Sequence, residues 1–296
     1  MKQTAGVVLA LSAGVMWGIM GIFIRHFSSL GLGSLEIGQI RIFFALIATL
    51  VYLLLCHRDL LRIRLKDLWC FVGGGVLSVM LFCYTNFKAM QFIPISVATI
   101  LVYTAPIFIT LFSALLFKER ITLKTVIALA LSFFGCVLVC GIGGGEKLSP
   151  LGIALGLISG FVYSLYSIFS RFAINRGYRA WTITFYSFLL CVLVGAIFCD
   201  WPSIGAVMSV PGNWLWAAGL GVCCGFAPYT LYSLSLERIR SSAASVLSSV
   251  DPVVATLVSV WVFNEPFGIG GVIGIIMVLS AILILSGNVR SRAAQE

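Results

Sequence analysis

The sequence predicts an all-α integral membrane protein in which ten transmembrane helices form two inverted five-helix repeats. Three observations predict it. Hydrophobic residues make up 60% of the 296 positions and charged residues only 10%, against roughly 25% charged in soluble domains. Apolar windows of membrane-crossing length recur along the whole chain. The second half of the sequence also repeats the first.

The composition excludes a soluble enzyme, a disordered chain and a secreted disulfide scaffold. A crossing helix needs roughly 20 mostly apolar residues, so the chain has room for about ten crossings with short connections and for no polar domain. Apolar windows place spans near 4–24, 34–56, 68–87, 93–117 and 123–141, then near 150–170, 181–200, 212–234, 241–262 and 268–287. The first span, preceded by Lys2, has the outline of a signal peptide. Because it takes part in the repeat, it is read as a retained helix.

The net charge of +9 is spread thinly among apolar runs, so no nucleic-acid partner is expected. It follows the positive-inside bias instead. Fifteen Lys and Arg residues fall on one side: Lys2 and the groups 58–66, 118–124, 171–179, 238–240 and 290–292. Arg25, Arg41, Lys88 and Lys147 fall on the other. This asymmetry places both termini in the cytoplasm, with the chain in an inner or plasma membrane. The nine cysteines lie in or beside apolar segments without CxxC spacing and read as small buried hydrophobes. His26 and His57 sit at span ends, and no HExxH, nucleophile or Walker motif occurs. Neither a metal nor a cofactor is expected.

The repeat emerges at an offset of 146 residues. Gly6, Ala10, Gly14 and Gly18 align with Gly152, Gly156, Gly160 and Ser164, giving two ladders of small residues that let helix backbones approach closely. Phe23 and Arg25 align with Phe169 and Arg171. Ser96, Ala98, Leu101, Pro106, Thr110, Leu111, Ser113, Phe117 and Glu119 align with Ser242, Ala244, Leu247, Pro252, Thr256, Leu257, Ser259, Phe263 and Glu265. The units are 1–145 and 146–296, with Gly143-Gly144-Gly145 as a turn at the junction. Five spans is an odd number, so the second unit crosses in the opposite sense. Inverted repeats of this kind build secondary transporters, with the substrate near the midplane between the halves.

The segments Tyr103-Thr104-Ala105-Pro106-Ile107-Phe108 through Leu116-Phe117-Lys118-Glu119-Arg120, and Val250-Asp251-Pro252-Val253-Val254-Ala255 through Phe263-Asn264-Glu265-Pro266, carry a resemblance. They are similar to the paired signature of the drug/metabolite transporter superfamily, EamA type: Pro, a small-residue apolar helix, then Glu at the helix end. Arg41-Ile42-Phe43-Phe44-Ala45 resembles the start of that family's second helix. The resemblance covers essentially the whole chain. It implies ten helices around a central cavity lined mainly by helices 1, 3, 4, 6, 8 and 9. Members export amino acids, metabolites and drugs, or move sugars and nucleotide-linked compounds.

Candidate site residues follow from helical spacing. Ser96, Thr99, Tyr103, Pro106, Thr110 and Ser113 share one face of helix 4, and Ser242, Ser245, Ser249, Pro252, Thr256 and Ser259 share the matching face of helix 9. These faces read either as cavity walls or as close packing through small residues, with Thr99 and Tyr103, and then Ser245 and Ser249, carried forward as substrate contacts. Pro106 and Pro252 free the carbonyls of Val102 and Ser248 and are candidate hinges. Asp251, aligned with Ala105, places a carboxylate near the bilayer centre. Such a group costs about 3 kcal/mol unless it is paired or hydrated. It is the candidate proton carrier or ammonium contact, with a structural carboxylate held by neighbouring hydroxyls as the alternative.

Tyr84, Asn86 and Lys88 end helix 3, where Lys88 either neutralises Asp251, holds a substrate carboxylate or snorkels to the surface. Trp17 lies deep in helix 1, and Tyr163, Tyr166, Tyr229 and Tyr232 are paired three apart on helices 6 and 8. They suit a cavity for small amphiphilic or cationic molecules, or else simple packing. Arg41, Glu36 and Gln39 read as a structural anchor at the start of helix 2. Glu119 and Glu265 read as pairing locally or capping loops, with a transport role as the alternative, and Trp69, Trp181, Trp201, Trp214 and Trp216 as interfacial anchors.

The combined expectation is a monomer in the lipid bilayer that exports a small amino acid-like metabolite by alternating access, with proton exchange at Asp251. The alternatives are an uncoupled facilitator or exchanger of another small metabolite or organic cation, an intramembrane enzyme on lipid-linked substrates, and a structural or receptor subunit. One central carboxylate without a central His is too little for the enzyme. The lack of a soluble domain disfavours the last.

Overall fold

A computed structural model describes residues 2–140, 149–264 and 268–293. Ten apolar helices organise it. They are α1 (Gln3–Ser29), α2 (Ser34–Cys56), α3 (Leu65–Met90), α4 (Val97–Phe117), α5 (Leu123–Cys140), α6 (Pro150–Asn175), α7 (Ala180–Gly195), α8 (Pro211–Leu236), α9 (Ser241–Phe263) and α10 (Ile269–Ser286). All but α7 are long and apolar enough to cross a membrane by themselves. No strand occurs among the described residues. The junction glycines 143–145, Lys147 and Glu265 lie outside the described residues.

The sequence windows miss several helix ends: α1 runs on to Ser29 and α6 to Asn175. The third helix starts at Leu65, three residues early. The seventh stops at Gly195 instead of running to 200, and a short helix, Trp201–Met208, follows before α8. The reason is local. A β-carbon on Gly195 would lie 2.5 Å from Gln39 Oε1, and the Asp200 amide donates to Glu36 Oε1 at 3.2 Å, so the chain is tied to α2 as it leaves α7.

The repeats interlock. The glycine ladder of α1 packs on the second unit and that of α6 on the first, through matching partners. A β-carbon on Gly6 would meet Ile239 and Arg238, and one on Gly152 would meet Ile93 and Phe92, which are their repeat mates. Likewise, Gly73 abuts the Phe169 ring and Gly219 abuts the Phe23 ring. α3 and α8 both contain π-helical turns, over Gly73–Met80 and Val222–Phe226. These occupy corresponding positions, and such turns recur at functional sites. α5 and α10 pair with each other, with Gly274 set against the carbonyl of Gly135.

Both signature helices are broken where their prolines remove a donor. α4 is interrupted between Val102 and Ala105, and α9 between Ser248 and Asp251. Both end in left-handed caps at mated positions, Lys118 (φ 55°) and Asn264 (φ 53°). Their amides donate to the carbonyls of Ser113 and Ser259, respectively.

Candidate functional site

The breaks in α4 and α9 frame a central cavity of about 480 Å³, within the range that holds a small metabolite. Its walls come from both units. α1 contributes Trp17 and Met20, α2 Ile37 and Arg41, and α3 Phe82 and Asn86. α4 adds Thr99, Tyr103 and Pro106, α6 adds Tyr163, α8 adds Tyr229 and Tyr232, and α9 adds Ser245, Ser249 and Asp251. The lining continues to exposed Ser28 and to Ser34 at the α1–α2 turn, on the face away from the N-terminus.

The other end is sealed. Tyr166 and Ser233 share a hydrogen bond of 2.8 Å, as do Ser167 and Tyr232. Trp17 packs edge-on to Tyr229 with centroids 5.4 Å apart, and Tyr166 does the same at 5.1 Å. Below this layer, Glu119 at the end of α4 accepts from the Ser241 amide at 3.2 Å and the Ser242 hydroxyl at 2.9 Å. It thereby caps the N-terminus of α9, where a carboxylate is favoured by the helix dipole. Arg171 lies 3.9 Å from Glu119 and donates to the Ile239 carbonyl at 2.6 Å and the Ser241 hydroxyl at 3.1 Å. Glu119 therefore bridges the two units, where a local cap was expected. The sequence alone did not place its partner helix.

Helix rotation sorts the remaining candidates. Phe82, Cys83, Asn86, Phe87 and Met90 put one face of α3 on the cavity, which turns Tyr84 and Lys88 away. Tyr84 is half exposed, and exposed Lys88 holds its ammonium 5.9 Å from the Phe92 ring, so it neutralises nothing in the cavity. Tyr166 is likewise absent from the lining, being held in the sealing layer. Pro252 is buried behind the wall, whereas Pro106 lines it. The freed carbonyls abut glycines of the opposite unit. Ser248 lies against Gly14, and the Leu101 and Val102 carbonyls lie against Gly160.

Asp251 opens the second half of α9, at the break in the helix. The Tyr103 phenol lies beside it, while Oδ1 has no hydrogen-bond partner. Gln39 anchors α2 to the Val192 carbonyl at 2.9 Å, as expected of the polar start of that helix. Arg41 does not anchor it. Its guanidinium lies on the cavity wall and donates only to the Met20 thioether, at 2.9 Å, with Nε unpartnered. Among the described residues no group of His, Cys, Asp and Glu converges on a metal position.

The model of the EamA-like transporter family matches this chain twice, over residues 4–141 and 150–287. The chain belongs to the EamA-like transporter family. It is similar to an uncharacterized transporter of Archaeoglobus fulgidus, with 30% identity over 93% of this chain and 94% of that one. It also resembles the uncharacterized inner membrane transporter YicL of Salmonella typhimurium, 25% identical over 97% of both. A solved crystal structure superposes with a TM-score of 0.78 at 20% identity, covering 97% of this chain and 98% of the other, and shows the shared fold. The protein is thus a multi-pass membrane transporter of this family.

Arg41 is the residue that sequence reasoning misplaced, although a signal was present. Its repeat mate is Ser187, just as the mate of Asp251 is Ala105. Both charged residues of the cavity wall, Arg41 and Asp251, lack a charged mate in the other repeat.

Proposed function

We propose that the protein is a secondary transporter that exports small amino acid-like metabolites by alternating access, with proton exchange at Asp251. The observation that carries the reading is one cavity walled by both inverted units, with a carboxylate at a helix break whose Oδ1 has no hydrogen-bond partner. Because the units are similar and inverted, exchanging their conformations converts a cavity reaching one face into one reaching the other. The lysine and arginine asymmetry supports cytoplasmic termini, so this conformation would present its cavity to the outside. Opening inward separates Glu119 from Ser241 and Ser242, and Tyr166 from Ser233. The chain needs no second subunit to complete the cavity, in keeping with a monomer.

The test is flux in proteoliposomes. Saturable, pH-gradient-dependent movement of apolar L-amino acids is expected for the wild type, and D251N is expected to lose the gradient dependence. Gradient-driven transport by D251N equal to wild type overturns the coupling role. Gradient-independent flux in the wild type favours the facilitator. Absence of flux for every amino acid overturns the substrate class.

A further inference from the structure

We infer that Arg41 is the subsite for the substrate's carboxylate, and that the cavity recognises a monocarboxylate zwitterion with an apolar body. The inference rests on the transport reading of the cavity but not on proton coupling at Asp251.

Arg41 is only 8% exposed, yet its one hydrogen-bond acceptor is a thioether sulfur, a weak one. The ion pairs among the described residues join Arg171 to Glu119, Arg176 to Asp67 and Arg179 to Glu237, leaving Arg41 without a carboxylate. The ionisable groups around it are the phenols of Tyr163 and Tyr229 and the thiols of Cys83, Cys191 and Cys224. A guanidinium so placed faces the cavity without an anion to compensate its charge, which is unfavourable in a low-dielectric interior. A planar, bidentate acceptor supplied by a ligand completes it.

The chemistry of the anion follows from what surrounds it. Arg41 is the cation of the lining, and Asp251 is its carboxyl group. A phosphate dianion would need a second cation, which the lining lacks. A zwitterion adds no net charge, and Tyr163 lies in electrostatic range of both groups. The Asn86 Oδ1 atom, buried and without a partner, adds an acceptor for an ammonium donor. The rest of the wall is largely aromatic and aliphatic, which suits an apolar side chain.

The experiment measures binding to the purified full-length protein by thermal shift and titration calorimetry. The probes are apolar L-amino acids, their methyl esters and the corresponding decarboxylated amines. The acids are expected to bind at least tenfold more tightly than the esters and amines. R41Q should lose that preference, and R41K should keep part of it. Equal binding of acids and esters by the wild type, acid binding by R41Q as tight as wild type, or no binding of any acid overturns the subsite. If R41Q fails to fold, the comparison of acids with esters on the wild type and R41K decides. Flux separates the two readings. Arg41-dependent binding without any flux refutes transport but keeps the subsite, and flux of acids undiminished in R41Q refutes the subsite but keeps transport.

Discussion

Replacing Gly14 with alanine tests the interlocking of the two units. A β-carbon there would lie 2.6 Å from Val250 Cγ1 and closer still to the Ser248 carbonyl oxygen, whereas carbon atoms pack at about 3.5–4.0 Å. The overlap is about 1 Å, and because the obstacle is partly backbone, no rotamer change relieves it. Overpacking of this kind costs about 1–3 kcal/mol, and a backbone obstacle puts the cost near 3. Alanine regains up to about 1 kcal/mol through helix propensity, leaving a net loss of about 2. Gly21→Ala on the same helix is the control, because nothing lies within 4 Å of its added carbon. It should gain up to about 1 kcal/mol. The two variants should therefore differ by about 3 kcal/mol, or roughly 6 °C or more in unfolding temperature. Thermal unfolding of the detergent-purified protein, followed by tryptophan fluorescence, measures the difference. Equal stability of the two variants would refute the close contact between α1 and the break in α9. Gly160→Ala should behave like Gly14→Ala, because its carbon would fall 2.6 Å from the Leu101 carbonyl oxygen.

Two further outcomes follow from single contacts. Glu119→Gln removes the charge from two hydrogen bonds and from the Arg171 pair in a largely buried place, so it should cost about 1–3 kcal/mol. An unchanged unfolding temperature would mean that the carboxylate does not hold α9. Lys118→Gly relieves a left-handed cap (φ 55°) and should gain about 1 kcal/mol. The mated Asn264→Gly should gain less, since Asn tolerates that conformation, and a larger gain at 264 than at 118 contradicts the cap argument.

Much of the fold was legible because it rests on local and periodic signals. Apolar windows gave the helices, since a bilayer demands about 20 apolar residues whatever their neighbours. The offset of 146 residues gave the repeat, and Pro106 and Pro252 gave both breaks, because a missing amide acts on its own helix. The end of α7 at Gly195 was not legible, as it depends on Glu36 and Gln39 of another helix. Asp251 stood out because a carboxylate amid apolar residues is conspicuous at any rotation of the helix.

By itself, the sequence determined the membrane setting, ten helices, the repeat and the residues free to be charged within it. Only the tertiary structure decided which of those residues share a space. Lys88 and Arg41 carry the same sign and were both read as helix-end cations, yet one is turned outward and the other lines the cavity. The physical reason is rotational. A helix places successive residues about 100° apart, and its sequence states the angles between them. Which angle faces the centre is fixed by packing against distant helices, here through glycines such as Gly221 and Gly225, which admit α2 at Phe44 and Ala45.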